Sequence, residues 1–360
     1  MEKIAVGVIG ATGIIGQNYI RLLDKHPWFE VKYVAASPRS KGKKYKNAVE
    51  GRWYMDGDIP EIIKDLIVED ANMAERARGR CAFVFSALKI EKNDIIKLEN
   101  SYAKADIPVV SNNSAHRYTS DVPVLIPEIN HNHLDIIKYQ QKNNGWQKGF
   151  IVVKPNCSVQ SYLIPIYAIM KAGYEIRKMM ITTFQAVSGA GYPGVASLDV
   201  IDNMYPLPGE EIKAEKEPLK IFGELRNGKI ENYGLLKISA HCNRVPVIDG
   251  HTACVSFEFG ERKPEPDEII TIWEGFKSIP QELNLPFAPS KPVVYRPESD
   301  RPQPRKDRDG GKGMAISTGR LRKCNVLDYR FVGLSHNTIR GAAGGGILNA
   351  ELLKAKGFFD

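Results

Sequence analysis

Hydrophobic positions along this chain fall into two regimes. Through roughly the first 150 residues they form short, nearly continuous apolar runs, at residues 4–9, 30–36, 81–88 and 107–112. Runs of this kind suit strands buried on both faces of a parallel sheet. Between them lie stretches with helical spacing, such as the one carrying Tyr19, Ile20, Leu22 and Leu23. Strands alternating with helices predict a doubly wound α/β domain. From Lys178 onward the runs lengthen and alternate, as in 179–186 and 252–259. That change predicts a second, α+β domain built on a large mixed or antiparallel sheet. Within it, 205–211 reads as a turn entering a charged helix, 296–305 as an exposed loop rich in proline and charge, and 342–353 as a glycine-rich entry to a helix.

The first apolar run leads directly into Gly10-Ala11-Thr12-Gly13-Ile14-Ile15-Gly16 and an amphipathic segment. Strand, glycine loop and helix in this order let the backbone approach a pyrophosphate, which then rests on a helix N-terminus. The spacing is G-x-x-G-x-x-G, so the context carries the dinucleotide reading more than the pattern does. After the second strand, where NAD-binding domains place an acidic residue against the ribose, Ser37-Pro38-Arg39-Ser40 stands instead. Hydroxyls and a guanidinium suit a 2′-phosphate, which predicts NADP.

A second junction carries the candidate chemistry. The run 149–154 ends at Pro155, and helical spacing resumes from Ser158 to Lys171. Cys157 therefore sits at a predicted strand-to-helix turn, where unpaired N–H groups and the dipole lower a thiol pKa. On position alone it is either a nucleophile or a small buried apolar residue. A nucleophile needs a proton partner, and His251 is the leading one. It follows Ile248-Asp249-Gly250 at the start of a strand, a turn that presents an imidazole of near-neutral pKa at a domain edge. His241, His336 and His116 are alternatives.

Composition narrows the class. The 360 residues are 43% hydrophobic and 26% charged, enough for two cores in a soluble globular protein. The formal charge of +8 is spread along the chain, which argues against nucleic acid. Its densest cluster, 39–44, follows a strand and fits a cofactor phosphate. Five scattered cysteines form neither a disulfide framework nor a metal pattern, so the expected setting is a reducing cytoplasm without a metal. No apolar run reaches signal-peptide form or the roughly 18 residues of a membrane span.

Six segments taken together resemble one family. They are Gly10-Ala11-Thr12-Gly13, Ser111-Asn112-Asn113-Ser114-Ala115-His116-Arg117, Pro155-Asn156-Cys157-Ser158, Ala186-Val187-Ser188-Gly189-Ala190-Gly191-Tyr192, Asn243-Arg244-Val245-Pro246-Val247-Ile248-Asp249-Gly250-His251 and Asn337-Thr338-Ile339-Arg340-Gly341-Ala342-Ala343-Gly344. In this order they are similar to the motifs of aspartate-β-semialdehyde dehydrogenases of the archaeal and fungal branch. The resemblance implies a Rossmann-type NADP domain over 1–155, completed by a helix at 340–360, and a catalytic and dimerisation domain over 156–339. It also implies reduction of L-4-aspartyl phosphate by NADPH through a Cys157 thioester, with His251 as acid/base and Gln185 orienting the thioester. Substrate contacts carried over are Arg244 for the α-carboxylate, Glu217 for the ammonium, and Lys220 and Arg117 for the phosphoryl group, with Asn156 beside the nucleophile. Glu210, Glu211 and Lys216 compete for the Glu217 and Lys220 positions in the same charged helix. Cofactor contacts are Gly10, Thr12, Gly13, Ile14, Ser37, Arg39, Ser40, Ser86, Ser188, Gly189 and Asn337. A homodimer or homotetramer follows from the same resemblance. One departure is Val159, where relatives often carry threonine. Malonyl-CoA and succinyl-CoA reductases on the same scaffold are the alternative, and a non-catalytic NADP-binding subunit is a second. Retention of Cys157, His251 and Arg244 speaks against the latter.

Overall fold

The computed structural model describes residues 2–359. Six parallel strands form the first sheet: β1 (Ile4–Ile9), β2 (Phe29–Ala36), β3 (Val68–Asp70), β4 (Phe83–Ser86), β5 (Val109–Ser111) and β6 (Ile151–Val153). Their order is β3-β2-β1-β4-β5-β6, the doubly wound arrangement, and it reverses between β1 and β4. Crevices at such a reversal are where these folds bind ligands. Val6, Val8 and Ile9 are fully buried, as the continuous apolar run requires. The expected strands at 81–88, 107–112 and 149–154 are shorter than their apolar runs, since their ends turn into loops where pairing to the neighbouring strand stops.

Gly10 explains how the first loop turns so tightly. Its φ is +80°, and a Cβ there would lie 2.4 Å from the Ala87 carbonyl oxygen. At Gly16 a Cβ would meet the Gly10 oxygen at 2.2 Å. Both contacts forbid a side chain, so the Ile14–Leu23 helix starts hard against the strand ends.

The second sheet comprises β7 (Ile176–Gln185), β8 (Tyr205–Pro206), β11 (Lys237–Arg244), β12 (His251–Phe259), β13 (Val293–Arg296), β14 (Ile316–Lys323) and β15 (Tyr329–Ser335), in the order β13-β14-β15-β12-β7-β11-β8. A separate hairpin joins β9 (Glu224–Arg226) to β10 (Lys229–Glu231). The large sheet is mixed: β7 pairs parallel with β11 and antiparallel with β12. Alternation along β12 buries Ala253, Val255, Phe257 and Phe259 and exposes Cys254 on the opposite face. Over the buried face lie the helices Leu163–Lys171 and Pro266–Gly275, locked by the Trp273 indole N–H donating to the Pro165 carbonyl at 2.9 Å.

After β15 the chain returns to the first sheet. Helix Gly344–Ala355 places Ile347, Leu348, Leu352 and Leu353 in one core with Tyr19, Phe85 and Val110. A Cβ at Gly346 would sit 1.9 Å from the Tyr19 hydroxyl, so the glycine run lets the helix cross that ring. The segment 296–305, expected as an exposed loop, is partly folded inward. Asp307 is buried and accepts the Arg301 Nε at 2.7 Å and the Gln303 amide at 2.7 Å, and Pro302 is buried too. Its charges pair with one another, which a count of charged residues does not reveal.

Candidate active site

Lys154, Pro155 and Asn156 carry the chain from β6 to Cys157, which caps a single 3-10 turn, Ser158–Ser161. The Asn156 Oδ1 shapes this corner by accepting the Ser158 N–H at 2.9 Å and its hydroxyl at 2.7 Å. The Asn156 Nδ2 donates to Glu210 at 2.9 Å, and the Asn156 N–H donates to Glu217 at 2.5 Å. Backbone at Gly341 closes on the other side, where a Cβ would come within 2.8 Å of the Cys157 Cβ.

The Cys157 Sγ lies 3.2 Å from the His251 Nε2. The other ring nitrogen, Nδ1, accepts the Ala186 backbone N–H at 3.0 Å. In the neutral ring this places the proton on Nε2, pointing at the sulfur. Burial, reinforced by Arg244, Lys154 and His336, drives the His251 pKa down to about 3, which corrects the expected near-neutral value. The thiol departs from expectation as well. Burial pushes Cys157 up, opposed by Lys154, Arg117 and Arg244 and assisted by Glu210. The expected dipole is weak here because the first turn is 3-10 and the backbone breaks at Tyr162 before the longer helix begins. Of the alternative histidines, His116 is buried within the 111–117 loop and bonds to Thr119, and His336 bonds to Thr338, while His241 lies on the exposed side of β11.

Cys157 opens into a cavity of about 540 Å³ at the strand-order reversal. Thr12, Gly13 and Ile14 of the glycine loop line it, as do Ser188, Gly189 and Asn337. Arg117 and Asn156 also line it. Asn337 is a strut: its Nδ2 donates to Ser188 Oγ at 2.7 Å and its Oδ1 accepts the Gly250 N–H at 2.8 Å. Gly189 makes room for convergence, since a Cβ there would lie 3.0 Å from Arg244 Nη1 and 3.1 Å from His251 Cε1. Arg244 donates through Nη1 to the Ala186 carbonyl at 2.5 Å, and among the described residues its buried Nε has no partner. Such a donor calls for an acceptor.

Arg244, His251, Gln185, Ser86, Glu217 and Lys220 are not among the residues lining this cavity. Gln185 is buried with its amide on Thr183 Oγ1 at 3.3 Å, and Ser86 Oγ accepts from Asn113 at 2.9 Å. Glu217 is already held by Arg117 Nη1 at 2.9 Å and by the Asn156 N–H. Lys220 donates to the carbonyls of Arg117 and Thr119 at 2.9 and 2.6 Å, and burial pushes its pKa down to about 8. Both residues thus brace the Arg117 loop in this structure. Ser37, Arg39 and Ser40 occupy a turn at the C-terminal end of β2, with Ser37 and Arg39 exposed and Ser40 buried.

Several cavity residues escaped sequence reasoning. Arg52, Tyr54 and Lys89 come from irregular segments with no pattern to mark them, and Tyr54 stacks on Tyr192 at 3.8 Å between ring centroids. Lys154 also lines the cavity, and its signal was visible: a lysine closing an apolar run next to the cysteine.

Residues 5–137 match the semialdehyde dehydrogenase NAD binding domain family, and residues 166–340 match the semialdehyde dehydrogenase dimerisation domain family. Aspartate-semialdehyde dehydrogenase of Archaeoglobus fulgidus is 45% identical over 98% of both chains. The Schizosaccharomyces pombe protein of the same name is 42% identical, again over 98% of each. Among solved structures, the aspartate semialdehyde dehydrogenase of Candida albicans with NADP superposes with a TM-score of 0.88 at 39% identity, covering 99% of this chain and 100% of that one. By sequence over nearly its full length and by fold, the chain belongs to the aspartate-semialdehyde dehydrogenase family.

Proposed function

We propose that this protein is an NADP-dependent aspartate-semialdehyde dehydrogenase, interconverting L-4-aspartyl phosphate and L-aspartate 4-semialdehyde in the biosynthesis of lysine, threonine and methionine. The observation that carries the reading is the 3.2 Å contact between Cys157 Sγ and His251 Nε2, with Cys157 lining the same cavity as the glycine loop. That loop fits a dinucleotide: a Cβ added at Gly13 would meet only the Gly10 oxygen, at 3.4 Å, so backbone is open to a pyrophosphate at the start of the helix. Bound NADPH supplies the hydride.

Cys157, entering the step as the thiolate, attacks the acyl carbon, the carbon–oxygen bond breaks to release phosphate, and a thioester remains on sulfur. Because the Ala186 N–H fixes the imidazole tautomer, His251 Nε2 acts as a donor throughout. It donates first to the sulfur anion, then to the oxygen that becomes negative when the thioester carbon is reduced. Collapse of the hemithioacetal breaks the carbon–sulfur bond and returns the thiolate to the same donor. Arg244 offers its unpaired Nε to the substrate carboxylate. Arg117 bonds through Nε to the Lys154 carbonyl and through Nη1 to Glu217, leaving Nη2 for a phosphoryl oxygen. Glu217 and Lys220 serve the substrate only by releasing some of their present partners, and Gln185 only by turning from Thr183. Ser37, Arg39 and Ser40 are assigned to the 2′-phosphate.

Residues 1–155 with 340–360 constitute the cofactor domain and 156–339 the catalytic and dimerisation domain. The protein is assigned to the cytoplasm as a homodimer or homotetramer joined through the open face of the second sheet, where Met180 and Cys254 are exposed. Among the described residues no helix is long and apolar enough to cross a membrane. The archaeal and fungal relatives are aspartate-semialdehyde dehydrogenases, so the acyl-CoA alternative is not favoured. The test offers aspartate semialdehyde, phosphate and NADP in one cuvette and malonyl-CoA or succinyl-CoA with NADPH in others. Phosphate-dependent NADP reduction is expected in the first; activity confined to the CoA cuvettes would overturn the substrate assignment.

A further inference from the structure

Lys154 is 2% exposed, and its Nζ donates to the Pro155 carbonyl at 2.5 Å and to the Gly341 carbonyl. Burying an ammonium is costly unless a counter-charge accompanies it. Yet among the described residues Lys154 forms no ion pair. The charged groups facing it are Arg117 and Arg340, which oppose its protonation, and Cys157 and Glu217, which favour it. Glu217 is already paired with Arg117. Cys157 is the anion left over.

The view from the sulfur agrees. Lys154, Arg117 and Arg244 favour its ionisation, Glu210 opposes it, and His251 is neutral. Arg117 is committed to a carboxylate, whereas among the described residues the Lys154 Nζ donates only to carbonyl oxygens. One of those carbonyls belongs to Gly341, whose backbone packs directly on Cys157. We propose that Lys154 is a positioning residue that pins the Gly341 turn against Cys157 and supplies the positive charge that makes the thiolate. This inference rests on the reading of Cys157 as the nucleophile. Burial pushes the lysine down to about 7 and the thiol up, so each ionises most readily when the other does.

The experiment measures the rate of iodoacetamide alkylation against pH, with Cys157 modification followed by peptide mass and residual activity assayed alongside. Lys154→Gln keeps donors for the two carbonyls without the charge, and Lys154→Met removes both. In each variant the alkylation midpoint is expected to rise by about one pH unit, so Cys157 reacts about tenfold more slowly at neutral pH. A fall in kcat/KM should run in parallel with unchanged NADP affinity. A wild-type midpoint in Lys154→Gln overturns the proposal whether Lys154→Met shifts or fails to fold, because the role would then be hydrogen bonding alone. If complete alkylation of Cys157 leaves wild-type activity intact, the nucleophile reading fails instead, which the midpoints by themselves do not report.

Discussion

Cys157→Ala is expected to lower phosphate-dependent NADP reduction by roughly 10⁴-fold or more, the scale of losing a covalent nucleophile. NADP binding should survive, because the wall formed by Thr12, Gly13 and Ile14 belongs to the first sheet's glycine loop and does not depend on the thiol. Sulfur is the only nucleophilic atom in contact with the His251 Nε2 among the described residues, so no neighbour takes over. His251→Ala should cost less, about 10²- to 10⁴-fold, since it removes a hydrogen-bond donor and leaves the nucleophile. Stopped-flow rates with cofactor titrations separate the two effects. Turnover by Cys157→Ala within about tenfold of wild type would remove the thiol from the mechanism.

The largest expected loss of stability comes from Arg340. Its guanidinium forms a bidentate pair with Glu128, both bonds 2.7 Å, and its Nε donates to Gln160 at 3.0 Å. Arg340 and Glu128 are essentially inaccessible to solvent. This single side chain ties a turn of the first domain to the segment after Cys157 and to the start of the C-terminal helix. Arg340→Met leaves Glu128 buried without its partner, which costs about 3–5 kcal/mol. Arg340→Met combined with Glu128→Leu should recover much of that loss, because the stranded charge goes too. Urea unfolding of the two single variants and the double variant checks this. A loss under about 1 kcal/mol in Arg340→Met would show the pair to be dispensable.

The parts of this architecture that were legible in the sequence are those encoded by neighbours in the chain. The strand, loop and helix around Gly10 and Gly16 could be read because the same few residues set the apolar run, the turn and the helix start. The alternation in β12 likewise announced a mixed or antiparallel sheet. Cys157 and His251 were found from local turns and motif resemblance, but their protonation was misread. Burial and the Ala186 N–H decide it, and both come from segments distant in sequence. Glu217 and Lys220 were assigned to substrate by resemblance among several charges of one helix; only the fold shows them bonded to Arg117, about 100 residues earlier. Arg340 and Glu128 are 212 residues apart, so nothing local marks either as half of a buried pair. Lys154 had a local signal, a charge at the end of a buried strand, and its meaning emerged once Gly341 was seen against the nucleophile.

A covalent acyl intermediate on Cys157 is the step on which the chemistry turns, and single-turnover oxidation of aspartate semialdehyde reveals it. With NADP present and phosphate absent, the reverse reaction should stop after the thioester forms, since nothing attacks it except water. The expected result is a burst of NADPH equal to the number of active sites, with a matching aspartyl mass on the Cys157 peptide that disappears when phosphate is added. Absence of a burst from active enzyme, or an acyl adduct on another residue, would rule out a thioester on Cys157.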